Sequence, residues 1–246
     1  MDLISVIIPY YRKKIFIKEA IISVLNQSYK NFEIILIYDD SNTDDLNYIK
    51  EIVNTHNKIS LIVNTKCIGA GLSRNLGIQS SKGKYVAFLD SDDIWKKNKL
   101  EVQLDSMKKN NYKISHTSYE IIDLKNNVIG NRKAKNFSDL KELLKSCDIG
   151  LSTVILEKEI LSDECLFPSL KTKEDFVLWL KILKKKITIG SVDVPLTYWR
   201  KLDNSLSSSI VQKLSDGFTV YNKFMNFNFF KSIYYLVCLS LNYVKK

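Results

Sequence analysis

Histidine and cysteine are scarce in this 246-residue chain, which has two histidines (His56 and His116) and four cysteines (Cys67, Cys147, Cys165 and Cys238). The cysteines lie far apart and form no Cys-x-x-Cys pair, so a Cys/His zinc site is not expected. A disulfide scaffold is equally out of place at this length. We read the four as reduced thiols, mostly filling the core of a cytoplasmic protein. The opening Met1-Asp2-Leu3-Ile4-Ser5-Val6-Ile7-Ile8 lacks the positive region of a signal peptide and runs straight into a strand-like segment. No uncharged run is long enough to span a bilayer. Apolar residues (45%) and charged residues (26%) together exclude disorder and the collagen-like or other low-complexity classes. They suffice for one large domain or two small ones around a substantial core. Thirty-seven Lys and Arg against 27 Asp and Glu give a net charge of +10, which favours anionic partners: phosphates, nucleotides or an anionic membrane face. Nucleic-acid binding has only this charge behind it and no recognisable module, so it is not expected.

Along the chain, residues 5–9 form a short β-branched run ended by proline, and Ile17, Ala20, Ile21, Val24 and Leu25 then repeat at helical spacing. Residues 32–38 (FEIILIY) read as a buried strand that stops at the turn-rich Asp39-Asp40-Ser41-Asn42. A helical pattern covers 46–53 and a strand 59–63. Gly69-Ala70-Gly71 opens a helix through Ile78, and the strand 85–89 ends at Asp90-Ser91-Asp92-Asp93. Strands alternating with helices over roughly the first hundred residues predict an α/β fold, a mostly parallel sheet with helices on both faces. Ligands of such sheets bind outside the carboxyl ends of the strands, where the polar clusters at 9–11, 39–40 and 90–93 all fall. The second half is less regular. Residues 114–122 and 152–156 read as strands and 138–146 as a helix. Residues 173–185 form an amphipathic helix with acid at its start and lysine at its end, followed by a strand at 187–192 and the segment 195–200.

The acids carry the chemistry. Asp90 and Asp92, one residue apart at a strand end, can present oxygens to a common point, a donor set suited to Mg²⁺ or Mn²⁺ bridging the phosphates of a nucleotide. Asp93 adds a third acid that its neighbours repel unless a cation is near. Each cluster also has a plain reading: Asp-rich turns and helix caps at 39–40 and 90–93, and compensation of the helix dipole at Glu174-Asp175. Arg74, in the first turns after a glycine-rich entry, can reach a phosphate or simply lie at the surface. Residues 69–71 match neither the P-loop nor the dinucleotide fingerprint. What separates the two readings is accumulation, because every acidic pair falls where one shared cleft would need it.

Five segments in order resemble the inverting family 2 glycosyltransferases that build bacterial cell-surface polysaccharides, over residues 3–205. They are SVIIPYY at 5–11, with Arg12 for the usual Asn; FEIILIYDDSN at 32–42; GAGLSRNLG at 69–77; GKYVAFLDSDD at 83–93; and KEDFVLWL at 173–180. The resemblance implies a GT-A fold (nucleotide-diphospho-sugar transferase-like) and a UDP-sugar donor. Carried over by position, Pro9, Tyr11 and Asp40 would line the uridine pocket with Asp39 beside them, and Arg74 would approach the diphosphate. Asp90 would face the ribose and donor sugar. Asp92 or Asp93 would hold Mn²⁺ or Mg²⁺, and Asp175 would be the catalytic base with Glu174 supporting it. The reaction this implies is transfer of a hexose to a hydroxyl of a lipid-linked saccharide in O-antigen, capsule or other surface-glycan synthesis, forming a β-linkage from an α-linked donor. The acceptor hydroxyl loses its proton as it attacks, so a carboxylate is needed within hydrogen-bond reach. Many relatives carry an Arg-x-His before a Ser-rich segment. Here Leu202 stands where that His would be, and Arg200, Lys201 or Asp203 is expected to contact the diphosphate in its place.

These readings divide the chain into a GT-A domain at 1–215 and a tail at 216–246. From 217 onward there is no acid, only four lysines among many aromatics at near-helical period. Such a helix suits a membrane interface, where a lipid-linked acceptor would be found, placing the protein peripherally on the inner face. A helix packed back on the domain, or on a second subunit of a homo-oligomer, has the same periodicity. Two other functions compete: a non-catalytic nucleotide-sugar-binding subunit, against which Asp92, Glu174 and Asp175 together argue, and a sugar-nucleotide pyrophosphorylase, whose Gly-rich basic loop after the first strand is missing.

Overall fold

The computed structural model describes residues 1–202 and 209–244. Its first half is laid down by strands that are apolar at every position but Ser5 and Glu33: β1 (Ile4–Tyr10), β2 (Phe32–Tyr38) and β4 (Tyr85–Phe88), with β3 (Ile59–Val63) at the rim. Strands without a polar face must be covered on both sides, as in parallel sheets. The pleat divides their side chains between two cores. Val6, Ile8, Leu36 and Ala87 face α1 (Lys14–Leu25), whose Ile17, Ala20, Ile21 and Val24 form the matching stripe. Ile7, Ile35, Val86 and Phe88 face the opposite core, beneath α3 (Ala70–Ser80). Between β2 and β3 runs α2 (Thr43–Asn54), capped by the Asn42 side chain, which accepts from the N–H groups of Asp44 and Asp45.

After β4 come β5 (Ile94–Trp95), α4 (Lys99–Asn110), β6 (Ile114–Ile122), β7 (Val128–Arg132), α5 (Leu140–Leu143), β8 (Ile155–Glu157), α6 (Glu174–Lys184) and β9 (Ile189–Arg200). Among the described residues these nine strands join one sheet in the order β3-β2-β1-β4-β8-β6-β9-β5, with β7 pairing β6. The first four are mutually parallel, while β8 runs antiparallel to both β4 and β6.

The parallel half and the strand at 114–122 stand where the sequence puts them. Three differences have local causes. Residues 151–153 make a 3-10 turn before the short β8. The helix expected at 138–146 is one turn, capped by Asp139. The strand expected at 187–192 begins at Ile189 and runs on through 195–200 as one strand, because β9 takes up Pro195 where its register against β6 slips. The cysteines correct the reading of mostly core thiols: Cys165 is buried, Cys238 half-buried, and Cys67 and Cys147 are exposed.

The chain ends in α7 (Ile210–Thr219), a π-type turn and α8 (Phe229–Val244). Residue 216 thus lies inside a helix. Val220, Tyr221, Met225, Tyr235 and Leu239 share a core with Phe176, Val177 and Leu180 of α6. No helix among the described residues is long and apolar enough to cross a membrane.

Candidate active site

The sheet order places β1 between β2 and β4, so the loops leaving these strands start side by side. Asp39 N–H donates to the Tyr10 carbonyl at 2.9 Å, and Leu89 N–H to the Ile7 carbonyl at 3.1 Å. Asp39 and Asp90 therefore leave the sheet on either side of the β1 terminus. Pro9 is buried within β1, and Tyr10 stacks on Tyr38 with ring centroids 5.2 Å apart. Tyr11 is half-exposed at the rim, under the Arg12 guanidinium at 5.0 Å. Asp39 is buried and serves the loop that leads into α3. Its Oδ1 accepts from Asn64 Nδ2 (2.7 Å) and Ile68 N–H (2.8 Å), and its Oδ2 from Gly69 N–H (2.7 Å). Asp40 is the more accessible of the pair, accepting from the backbone N–H groups of Arg12 (3.1 Å) and Ser41 (2.7 Å).

Arg74 joins this edge to α6. Its Nη2 donates to Asp90 Oδ1 and its Nη1 to Glu174 Oε1, both at 2.7 Å, and its side chain is only 4% exposed. The approach of α3 to α6 depends on Gly71, where a Cβ would lie 2.9 Å from the Pro168 carbonyl and 3.1 Å from Glu174 Cγ. Next to Arg74, Asn75 grips the Phe167 backbone from both sides, donating to its carbonyl at 2.9 Å and accepting from its N–H at 3.1 Å. Burial alone would ease proton loss from Arg74, but Asp90 and Glu174 outweigh it and hold the guanidinium firmly charged. Arg74 thus spends both terminal nitrogens inside the protein, bracing two acids from distant parts of the sequence.

The three acids of 90–93 have separate fates. Asp90 turns to Arg74. Asp92 takes an ion pair from Lys13 at 2.9 Å, and its carboxyl is pushed up by burial and by the facing Asp90 charge. Asp93 is buried, accepting from Ser152 Oγ at 2.6 Å and from Arg200 N–H at 2.9 Å. Burial and the two neighbouring aspartates raise its carboxyl well above the usual range. With both oxygens engaged inward, Asp93 anchors the loop and does not fit the role of a metal ligand. Arg200 is a second internal brace. Its guanidinium donates to the carbonyls of Asp92 (2.9 Å) and Asp123 (3.2 Å), to the Asn126 side chain, and to Glu19 at 2.9 Å. Four of the five N–H groups of this buried guanidinium are thus taken up inside the protein. Lys201 is exposed beyond it, and Asp203 lies outside the described residues.

Asp175 occupies the first turn of α6 beside Glu174, half-buried, with its Oδ1 accepting the Phe176 N–H at 2.7 Å. Burial first, and the Glu174 charge second, push its carboxyl up to about 7. A carboxyl poised near neutrality is suited to taking a proton from a hydroxyl. Among the described residues no three His, Cys, Asp or Glu side chains gather as a metal centre. A hard divalent cation shared with a diphosphate needs only one or two carboxylates, and Asp92, paired with Lys13 and with Asp90 beside it, fits that requirement. Lys13 was not singled out from the sequence, although the Arg12-Lys13-Lys14 run at the β1 terminus is the signal for it. Asn64, bonded to the side chains of Asp39 and Ser73, and Ser152 and Asn75, bonded to backbone groups, carry no spacing pattern in the sequence.

Residues 5–156 match the family model "Glycosyl transferase family 2". Two Escherichia coli proteins named as UDP-Glc:alpha-D-GlcNAc-diphosphoundecaprenol beta-1,3-glucosyltransferases are similar along most of their length. WfgD is 37% identical over 98% of this chain and 92% of its own, and WfaP is 37% identical over 87% and 83%. The crystal structure of S. aureus TarS 1-349 in complex with UDP-GlcNAc has the same fold, with a TM-score of 0.73 at 21% identity. The match covers 91% of this chain, which spans 65% of the TarS chain. The chain belongs to glycosyl transferase family 2.

Proposed function

We propose that the chain catalyses inverting transfer of a hexose, with glucose the first candidate, from a UDP-sugar to a hydroxyl of a polyprenyl-diphosphate-linked saccharide in surface-glycan synthesis. The observation that carries this reading is the Arg74 bridge, which brings the helix bearing Asp175 against the loop bearing Asp90 and Asp92. The names of the E. coli relatives supply glucose as donor sugar and a lipid-linked GlcNAc as acceptor. In this mechanism Asp175 accepts the proton of the acceptor hydroxyl while that oxygen bonds to the anomeric carbon. The bond from that carbon to the diphosphate breaks on the opposite face, and its electron pair leaves with UDP, so an α-linked donor gives a β-linked product. A divalent cation, Mn²⁺ or Mg²⁺, held by Asp92 with Asp90 beside it, would stabilise the charge gathering on the leaving diphosphate. Lys13 adds positive charge at the same edge, and Glu174, fixed by Arg74, keeps a neighbouring negative charge that raises the basicity of Asp175. Tyr11 and Asp40, open at the ends of β1 and β2, would hold the uridine. A lipid-linked acceptor places the work at the cytoplasmic face of the membrane. A non-catalytic nucleotide-sugar-binding subunit would have no use for a carboxyl held near neutrality.

The test is release of UDP by the purified protein from a panel of UDP-sugars, with a synthetic GlcNAc-diphospho-lipid as acceptor and Mn²⁺ present. Acceptor-dependent release from one UDP-hexose, with a β-anomeric product by NMR, is the expected result. No release from any UDP-sugar, or an α-linked product, would overturn the reading.

A further inference from the structure

The outward face of α8 is apolar where a surface helix is ordinarily polar. Phe230 (82% exposed), Ile233, Tyr234, Val237 (50%) and Leu241 follow one another at i, i+3, i+4, i+7 and i+11. The inward face, with Tyr235 and Leu239, is already seated on the core of α6, so the exposed stripe is not a core face left unfilled. The neighbouring α7 continues the surface with Ile210, Val211 and Leu214, and the two helices meet where the rings of Phe218 and Phe229 touch at 5.7 Å. An exposed apolar surface of this extent marks an interaction site. Its own segment is one-signed: residues 217–246 contain no acid, and Lys223 and Lys231 stand exposed beside the stripe.

We propose that the exposed faces of α7 and α8 dock this protein in the plane of an anionic bilayer, aromatic side chains in the headgroup boundary and lysines among the phosphates. No helix among the described residues is fit to cross the membrane, so the pair lies on it. The charge argues for lipid over a second copy. A second copy docked through this face would offer Lys223 and Lys231 no acid from its own residues 217–246, whereas anionic headgroups complement them. The docking helices are also fastened to the base-bearing helix. Asp216 of α7 accepts from both the N–H and the Oγ1 of Thr172 at 2.9 Å, three residues before Asp175. At Gly217 a Cβ would lie 2.8 Å from Leu236 Cδ1, so α7 and α8 sit in close contact. A bilayer held by these helices therefore stands at a fixed relation to Asp175. That this relation delivers an acceptor rests on the lipid-linked reading above; the docking itself does not.

The experiment is co-sedimentation of the full chain with vesicles of phosphatidylglycerol and phosphatidylcholine in equal parts, and with phosphatidylcholine alone. The vesicles hold neither donor nor acceptor, so the result is independent of whether transfer occurs. A Phe230→Ser/Val237→Ser variant, both positions being solvent-facing, is compared after its thermal midpoint is shown to match that of the wild type. A second variant, Lys223→Glu/Lys231→Glu, tests the charge without altering the apolar stripe. Strong pelleting with the anionic vesicles, reduced about tenfold or more by either variant, is expected. Failure of the wild type to pellet, or pelleting that survives both variants, would overturn the proposal. So would a wild-type dimer in light scattering that the serine variant dissociates while vesicle binding is absent, for the face would then belong to a second copy.

Discussion

Replacing Asp175 by asparagine should remove the base and steady the fold at the same time. In the folded protein the carboxyl is pushed up to about 7 from its ordinary 3.8, by burial and then by Glu174. Below pH 4 it is protonated whether the chain is folded or not, and costs nothing. Between pH 4 and 7 the unfolded chain releases the proton and the folded chain keeps it, so stability falls as pH rises. Above 7 the full penalty applies. The interval corresponds to about 4 kcal/mol at most. Solvent reaching this half-buried side chain brings the expected gain in Asp175→Asn to about 1–3 kcal/mol at pH 8, vanishing near pH 4. Turnover should drop about 10²–10⁴-fold, the usual worth of a positioned base. In the wild type, kcat/KM for the acceptor should climb about tenfold per pH unit below 7 and level off above it. Urea denaturation at pH 4 and pH 8, paired with UDP-release kinetics from pH 5.5 to 9, measures all of this. Equal stability of variant and wild type at both pH values, with wild-type kinetics lacking an inflection between pH 6 and 8, would refute the assignment.

The other residues make sharper contrasts. Arg74→Met leaves Asp90 and Glu174 facing each other without their shared cation, and should cost about 3–5 kcal/mol in urea denaturation. Asp92→Ala should abolish most turnover while the folded state persists in circular dichroism. Asp93→Ala, by contrast, strips partners from Ser152 and the Arg200 N–H and should lower stability by about 1–3 kcal/mol. Chelation with EDTA should reduce turnover at least about tenfold, with Mn²⁺ restoring it; full activity after dialysis against EDTA would remove the metal from the account.

The parallel half of the fold was legible because β1, β2 and β4 are apolar at every position but Ser5 and Glu33 and stop at polar loops, a pattern set by burial on both faces. Burial there is decided locally, by the residues themselves. The second half was less legible because its elements exist through long-range partners: β5 has two residues and forms only against β9, and β7 only against β6. The site shows the same division. Which acids gather at one edge could be read from strand ends and from the start of α6. Which of them remain free could not, because that depends on hydrogen bonds that cross the chain. Ser152 and Arg200 claim Asp93, Asn64 claims Asp39, and Arg74, expected at the diphosphate, serves as a strut between acids.

The most direct measurement is a crystal structure of the Asp175→Asn protein with an intact UDP-hexose and Mn²⁺. The account predicts the diphosphate and its cation against Asp92, the hexose beside Asp90, and the side chain of residue 175 within hydrogen-bond reach of the space beyond the anomeric carbon. A nucleotide seated away from the ends of β1, β2 and β4, or residue 175 on the same side of the sugar as the diphosphate, would contradict it.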